Sequence, residues 1–393
     1  MIRYNELSKR VKLDGLNKTT AHLTECLGNK TLKPRDFSLQ SLFETLVVDA
    51  NGESCGRYLL AENGCADRQL TEGTDGVDIT AFANITGQLL VTTVMDAYQS
   101  EEFILSKMVP STSTKSFVGE KIPGVSRIKG DGAKVHPGMP YPRVGFGEDW
   151  VEFPKTDKYG EIIPVTKEAI IGDLTGLVLD TAQSIGEDLG FHKEERLLDV
   201  LIGSTNNYSW KGTSYNTYQT STPWVNVKSS NELVDWTDVN ESEQLFAAML
   251  DPNTARPILI DPKFVLVTPA YLHSAARIFN ATSVEHVDNS ASAGTVRTNY
   301  SNPLTGYSFG SSKLMYRRIV AGGADATAGK KWWFHGDFAR ALTYRENWPI
   351  TVQQAPVDSH DSFDRDIVVQ WKASESGVAA VKNPRYVVKN YDS

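Results

Sequence analysis

The chain is poor in cysteine and contains no long apolar run. Its 393 residues include only three cysteines, Cys26, Cys55 and Cys65, which are too few and odd in number for a disulfide framework and favour a reducing compartment. No stretch approaches the roughly 20 apolar residues of a membrane-spanning helix, and the N-terminal residues lack the apolar segment of a secretory signal. We therefore expect no disulfide scaffold and no membrane partner.

Motifs that carry catalysis are also scarce. The stretch Gly52-Glu53-Ser54-Cys55-Gly56 matches G-x-S-x-G, but that motif works where a strand turns sharply into a helix. Here Asn51-Gly52 predicts a hairpin turn followed by a second strand. His192, Glu194 and Glu195 share a helical segment without the two-histidine spacing of a metal site, so we predict that they are surface charges.

Two further clusters of polar residues are explained more simply by local structure than by catalysis or metal binding. His335-Gly336-Asp337 fits a turn between strands better than a catalytic pair. A dense acidic run fits a solvated loop, with a divalent cation as the alternative, although it lacks the EF-hand pattern. It comprises Asp358, His360, Asp361, Asp364 and Asp366. Since no phosphate-binding or dinucleotide fingerprint is present either, we expect no enzyme activity, no cofactor and no metal.

The charge balance argues against sequence-specific DNA binding. The chain carries 40 basic and 48 acidic residues, a formal charge of −8, whereas a dedicated duplex-binding protein is usually basic. Residues 1–36 are different, because they hold eight basic residues against four acidic ones. This segment predicts either an arm that contacts a polyanion without selectivity or a solvated face.

A long projecting loop is predicted in the first half of the chain. Residues 118–165 hold eight glycines and six prolines among 48 residues, against 30 glycines and 17 prolines in all 393. Strand-like segments flank its tip, at Phe117-Val118 and Val125–Ile128 before it and at Trp150–Phe153 and Glu161–Val165 after it. Because such a loop buries little of its own surface, we expect it to lie on a neighbouring subunit.

A long helix is predicted directly after this loop. No proline occurs from Lys167 to Ile202, and apolar residues recur at close to the 3.6-residue period. Thr166 is a suitable N-cap and Gly203 a suitable end. A single helix over these 36 residues would be about 54 Å long. The face opposite the apolar stripe is predicted to be exposed, and it carries Asp180, Glu187, Asp188, Lys193 and Glu194.

The rest of the chain predicts an α+β protein, since no βαβ repeat of a doubly wound sheet is visible. Helices are predicted within 79–108, 241–250 and 270–279. Strands are predicted at 258–260, 264–267, 313–320, 332–334, 339–344, 350–353, 367–372, 377–381 and 385–388.

The order of these elements resembles that of the tailed-bacteriophage major capsid proteins, which share the Hong Kong ninety-seven-type fold. Several short stretches resemble one branch of that family. They are Phe82–Leu90, Gly138–Pro142, Asn231–Trp236, Glu346–Ile350, Phe363–Ile367 and Asn383–Val387. None is a catalytic motif, and the resemblance rests on their order over residues 79–390.

This resemblance implies an α+β capsid fold with peripheral and axial lobes. Its segments would be an N-terminal arm (1–117), an extended β-hairpin loop (118–165), a spine helix of the peripheral domain (166–203), an axial domain (204–332), a peripheral-domain sheet (333–376) and a return to the axial domain (377–393). Contacts between subunits are expected from loop residues Lys129, Asp131, Lys134, His136, Tyr141 and Arg143.

The resemblance also implies a function. The chain would be a major capsid protein that self-assembles into pentamers and hexamers of an icosahedral shell around phage double-stranded DNA. It would be found in the virion and, during assembly, in the host cytoplasm. Scaffold, portal and decoration proteins are candidate partners, and packaged DNA is a non-specific one. The alternatives are an encapsulin-like nanocompartment shell protein and, from another class, an aromatic-rich glycan-binding protein or hydrolase.

Overall fold

The computed structural model describes ten ranges of the chain and four single residues. They are 16–29, 75–100, 102–123, 134–141, 149–172, 175–203, 207–252, 254–288, 296–355 and 367–392, with residues 13, 33, 39 and 42. Gly52–Gly56 and the acidic run of Asp358–Asp366 lie outside these residues. Within the described ranges, no helix is long and apolar enough to cross a membrane.

Helices and strands both contribute to the described structure. The helices are α1 (Leu16–Gly28), α2 (Asp75–Tyr98), α3 (Leu105–Met108), α4 (Lys167–Ile171), α5 (Thr175–Ile202), α6 (Trp236–Ala247), α7 (Leu272–Phe279), α8 (Met315–Ala321) and α9 (Phe338–Ala341). The first strands are β1 (Ser111–Ser113), β2 (Glu120–Pro123), β3 (Trp150–Phe153), β4 (Asp157–Thr166), β5 (Tyr208–Trp210), β6 (Thr213–Tyr215), β7 (Val227–Ser229) and β8 (Phe264–Val267). The later ones are β9 (Ser283–Asp288), β10 (Val296–Ser301), β11 (Ser308–Ser311), β12 (Trp333–Gly336), β13 (Leu342–Gln354), β14 (Ile367–Val381) and β15 (Val387–Tyr391). The predicted α+β class is confirmed.

The chain divides into two compact units. Unit 1 comprises Met1–Ser100, Lys158–Phe191 and Trp348–Ser376, and unit 2 comprises Glu101–Asp157, His192–Asn347 and Gly377–Ser393. The boundary between them falls within α5, β13 and β14. One sheet has the strand order β1-β13-β14-β4, so β1 and β4 are its edge strands.

The core of unit 1 packs α1, α2 and the first part of α5 with β4, β13 and β14. Apolar side chains of α2, such as Ile85 and Leu89, recur every four residues and are buried with Val178 and Ile185 of α5. Trp371 of β14 is the largest side chain of this core. Burial of these apolar side chains stabilises the unit by about 1.5–3 kcal/mol for each large one.

A glycine permits close approach of α2 and α5. A Cβ atom placed on Gly186 would lie 2.5 Å from the carbonyl oxygen of Val94 and 2.8 Å from Cβ of Ala97. These separations are below van der Waals contact, so no residue with a side chain fits without moving a helix. Gly176 of the same helix has no neighbouring atom within 4 Å of such a Cβ.

The predicted long helix is divided in the structure. Thr166 is the N-cap as predicted, and its side chain accepts a hydrogen bond from the amide of Ala169. The helix that it begins, α4, ends after five residues with Gly172 as its C-cap, and α5 then runs for 28 residues. Glycine has a low helix propensity, which explains the early end. Gly203 follows α5 at a φ of +65°, as expected of a terminating glycine.

Unit 2 is built on a five-stranded sheet of order β11-β8-β12-β15-β7. Successive side chains of a strand point to opposite faces, and both faces of this sheet are covered. Leu266 and Phe334 belong to one buried cluster, whereas Val265, Val267 and Trp333 belong to another. The apolar run Phe264–Val267 was therefore correctly predicted as a buried strand.

Further sequence-based expectations also differ from the structure. Residues 313–320 were predicted as a strand but include helix α8, where the buried Met315 and Ile319 are four residues apart. Residues 161–165 form a strand as predicted, within β4, but this strand is the neighbour of β14 and not of the strands of the loop. The segment 333–376 does not form one sheet, because β12 pairs with β8 and β15.

Two glycine substitutions in α5 test the packing of unit 1. We expect Gly186→Ala to destabilise the protein by about 2 kcal/mol, because overpacking outweighs the helix preference for alanine of about 1 kcal/mol. Gly176→Ala is the matched control and is expected to stabilise by about 0.5 to 1 kcal/mol. Denaturant unfolding of both variants measures the difference. A Gly186→Ala protein as stable as Gly176→Ala would contradict the close helix approach.

Candidate functional site

The loop stem is an antiparallel hairpin in unit 2. Strands β2 and β3 pair in register from Glu120 opposite Phe153 to Pro123 opposite Trp150. The strand predicted at the return of the loop is thus confirmed as β3. The strand predicted at Phe117-Val118 is wrong, because these two residues form a bend just before β2.

Further strands support this hairpin. β3 pairs antiparallel with β5, which places Val151 opposite Trp210. β5 and β6 are joined by the two-residue turn Lys211-Gly212, with φ values of +52° and +79° that match the twist of a hairpin. An isolated hairpin is marginally stable in water, so the four-stranded sheet β2-β3-β5-β6 gives the loop a firm base.

Ion pairs lie along the stem. Lys121 contacts Glu152 across the strands at 3.0 Å, and its hydrogen bond is the main cause that lowers the pKa of that carboxyl group. Glu120 accepts a hydrogen bond from Thr114 at 2.9 Å and pairs with Arg345, and both contacts lower its pKa. These carboxylates are therefore ionised at neutral pH and fasten the stem to its surroundings.

The bend that precedes the stem is also well ordered by hydrogen bonds. The hydroxyl of Ser116 donates to the carbonyl of Val118 at 2.7 Å, and the amide of Asn347 donates to the carbonyls of Thr114 and Ser116 at 3.1 Å each. Gly119 follows, where a Cβ atom would lie 2.8 Å from the carbonyl oxygen of Phe153. The loop therefore leaves unit 2 in a defined direction.

The described part of the loop beyond the stem is exposed. The carbonyl of His136 accepts a hydrogen bond from the amide of Met139 at 3.1 Å, and Gly138 has a φ of +86°, as in a Pro-Gly turn. Met139 and Tyr141 are 64% and 84% exposed, although both are large and apolar. Lys134 is exposed as well. Neighbouring exposed apolar side chains of this kind are compatible with a binding surface.

The six loop residues expected to contact other subunits are only partly described. Lys134, His136 and Tyr141 are exposed to solvent, as a contact with a neighbour requires. Lys129, Asp131, Arg143 and the predicted strand 125–128 lie outside the described residues. The contact role of all six residues stays a prediction.

A buried carboxylate holds the chain that leads to the loop. Glu194 of α5 was predicted to be exposed, but it is fully buried. It accepts hydrogen bonds from the amides of Ile104, Leu105 and Ser106 at 3.2, 2.9 and 2.8 Å and from the Ser106 hydroxyl at 2.6 Å. The first amides of a helix have no partner within it, so Glu194 caps α3.

The groups considered for chemistry are structural in unit 2. His192 and Glu195 lie 3.3 Å apart, and Glu195 also contacts Arg318. Asp337 accepts a hydrogen bond from the amide of Arg340 and caps α9, so it does not pair with His335. No cluster of three potential metal ligands occurs among the described residues.

His335 belongs to a buried polar network instead. Its Nε2 lies 3.2 Å from the carbonyl of Pro262, which can only accept, so Nε2 carries the proton and Nδ1 accepts from the Ser242 hydroxyl at 3.2 Å. The Ser242 oxygen accepts from Asn390 at 3.3 Å. Burial lowers the pKa of His335 to about 4, so the imidazole is neutral at pH 7.

The sequence comparison assigns the chain to a family. A family model of phage capsid proteins matches residues 151–390, which is well over half of the chain. The chain therefore belongs to the phage capsid protein family. This membership confirms the capsid function implied by the sequence resemblance, and the protein is a component of a phage capsid. A search of curated proteins found no match.

The chain is also similar to solved structures, three of which follow. The virus-like particle from Pyrococcus furiosus has 14% identity and a TM-score of 0.38, covering 77% of this chain and 97% of that one. The cyanophage Pam1 capsid asymmetric unit has 10% identity and a TM-score of 0.46, covering 75% and 93%. Mycobacterium phage Bobi has 12% identity and a TM-score of 0.39, covering 74% and 90%.

Removal of the buried carboxylate should be costly. We expect Glu194→Ala to destabilise the protein by about 3 to 5 kcal/mol, because three amides and one hydroxyl lose their acceptor inside the protein. Glu187→Ala is the control on the same helix, since Glu187 is exposed and accepts one hydrogen bond, from Gln183. Chemical denaturation measures both effects. Equal, small losses for the two variants would show that Glu194 is not a cap.

Protonation of His335 should make the protein sensitive to acid. The folded-state pKa lies below the unfolded value, so the unfolded chain binds the proton more tightly and stability falls as pH drops from about 6.5 towards 4. The total loss is about 3 kcal/mol. In His335→Gln this part of the pH dependence should disappear, whereas His136→Gln, on the exposed loop, should retain it. Unfolding at a series of pH values provides the measurement, and an unchanged slope in His335→Gln would refute the assignment.

Proposed function

We propose that this chain is the repeating subunit of an icosahedral shell, and that the extended loop lies on a neighbouring copy. The observation that carries the proposal is the contrast between the base of the loop and its outer part. The stem is held by paired strands, ion pairs and hydrogen bonds, while Met139 and Tyr141 are left exposed. An ordered base lowers the conformational entropy lost on binding, and exposed apolar groups gain from burial against a partner.

The proposed assembly proceeds through pentamers and hexamers of one chain. In such a shell each copy makes quasi-equivalent contacts with its neighbours, and closed symmetry adds many modest contacts into a stable particle. An overlapping loop increases the area buried by each subunit beyond what a compact lobe offers. This favours the loop as the element that joins neighbours.

The proposed content of the shell is double-stranded phage DNA. The net charge of −8 is compatible with a container that holds DNA without binding it tightly. The basic residues among positions 1–36 would supply weak, non-selective contacts with phosphate groups. Assembly would take place in the host cytoplasm, with scaffold, portal and decoration proteins as candidate partners.

Replacement of the loop tests this proposal. We expect substitution of residues 128–146 by a short Gly/Ser linker to leave folded subunits but to abolish shells, because the contact with the neighbour is lost. The protein is purified, its thermal unfolding is compared with wild type, and particles are counted by electron microscopy.

A second variant separates loop length from loop chemistry. It replaces residues 128–146 by a Gly/Ser segment of equal length, and it should also fail to form shells. Shells of normal size from either variant would show that the loop is not the assembly element. Wild-type protein that forms no particles under any condition would contradict the proposed function itself.

A further inference from the structure

In unit 2, Arg385 lies between the five-stranded sheet, called the main sheet, and the stem sheet β2-β3-β5-β6. Arg385 precedes β15 of the five-stranded sheet and is only 3% exposed. Its guanidinium carbon lies 5.0 Å from the ring centre of Trp224 and 5.8 Å from that of Trp210. Trp210 belongs to β5, where it stands opposite Val151 of the loop stem. Arg385 thus connects the stem sheet with the main sheet.

The position of Arg385 is fixed from the side of the main sheet. Its amide donates to the side-chain oxygen of Asn383 at 3.1 Å, which orders the turn before β15. The side-chain amide of Asn226 donates to the carbonyls of Pro384 and Val387 at 2.9 and 3.2 Å. Val387 is itself paired with Gly336 of β12. The arginine therefore stands on a backbone that cannot easily shift.

The aromatic group on the other side is equally well packed. The rings of Trp210 and Trp224 meet edge-on with centres 6.4 Å apart, and Tyr208 and Tyr215 contact Trp224 at 5.4 and 5.5 Å. The indole nitrogen of Trp210 donates to Asp149, the residue before β3. Movement of Arg385 would therefore be transmitted through Trp210 to the strand that returns from the loop.

The contacts of Arg385 depend on the shape of its side chain. Its Nε atom has no hydrogen-bond partner among the described residues, while the guanidinium is held by a hydrogen bond with Tyr208, by the ring contacts and by nearby negative charge. Asp149 and Asp251 supply that charge. A planar cation can lie against two indole rings at once, whereas an ammonium group is a compact point charge.

We propose that Arg385 is a positioning residue for assembly, which sets the direction in which the loop stem leaves unit 2. This inference rests on the proposed function. Between Pro123 and Lys134 the chain can span at most about 36 Å. A rotation of about 10° at the stem would then move the exposed segment by up to about 6 Å, more than the contact distance of about 4 Å between apolar groups.

Substitution of Arg385 should separate folding from assembly. Arg385→Met leaves the buried carboxylates of Asp149 and Asp251 without this cation, and removal of one partner of a buried charge pair is destabilising. We therefore expect Arg385→Met to unfold at a lower temperature than wild type but to stay folded under assembly conditions, whereas Arg385→Lys keeps the charge and should unfold closer to wild type. The concentration needed for half-maximal shell formation should rise about tenfold, equivalent to about 1.4 kcal/mol per subunit, and particle diameters should become irregular. Arg385→Lys should lie between Arg385→Met and wild type.

A matched control removes an arginine that does not contact the stem. Arg340 lies 5.7 Å from the ring of Tyr386, and its side chain is 64% exposed. Arg340→Met should change neither the unfolding temperature nor the assembly curve. Trp210→Leu should give the same assembly defect as Arg385→Met, and the double variant should be no worse than either single one, since both act through one contact.

The outcomes separate this inference from the proposed function. Normal assembly of folded Arg385→Met, or additive defects in the double variant, would overturn the positioning role alone. Loss of folding in both Arg385→Met and Arg385→Lys would also overturn it, since the residue would then be a stability element. Wild-type protein without particles would remove the proposed function and this inference with it.

Discussion

The structure of unit 2 depends first on one buried carboxylate, that of Glu194. Burial of an ionised carboxylate costs several kcal/mol of folding free energy unless hydrogen-bond donors surround it. Glu194 accepts four hydrogen bonds from donors in residues 104–106. The same residues lead through α3 into β1 and then towards the loop stem. The need to satisfy one carboxylate thus fixes the point from which the loop departs. The neighbouring Lys193 is buried as well, and its ammonium group lies over the ring of the buried Tyr344, 4.5 Å from the ring centre.

Other polar side chains order the base of the loop. Asn347 orders the bend, Arg345 pairs with Glu120, and Arg385 lies against the tryptophans. Each of these side chains holds parts of the chain that are distant in sequence, which an apolar contact would do with less directional control. A segment rich in glycine and proline thereby acquires a rigid base, while its outer part stays exposed for a partner. This combination suits an element that must reach a neighbour in one orientation.

Local features of the sequence were predicted well because they depend on neighbouring residues. The N-cap at Thr166, the terminating Gly203 and the buried strand at Phe264–Val267 all follow from local chemistry and periodicity. The burial of Glu194 could not be predicted, because periodicity treats a charged residue as exposed and its partners lie about 90 positions away. Arg345 and Glu120 are similarly separated by 225 positions.

The stretches that resemble the capsid family contain residues that fix the backbone and no catalytic motif. Asn231 donates to Asn390 at 2.9 Å and its carbonyl accepts from Trp333 at 2.8 Å, while Asn383 orders the turn that carries Arg385. These are buried polar contacts, and each constrains one backbone arrangement because an unsatisfied partner would cost about 1 to 3 kcal/mol. A shell protein needs the same surface geometry in every copy. Residues that fix the backbone therefore serve its function as directly as catalytic residues serve an enzyme.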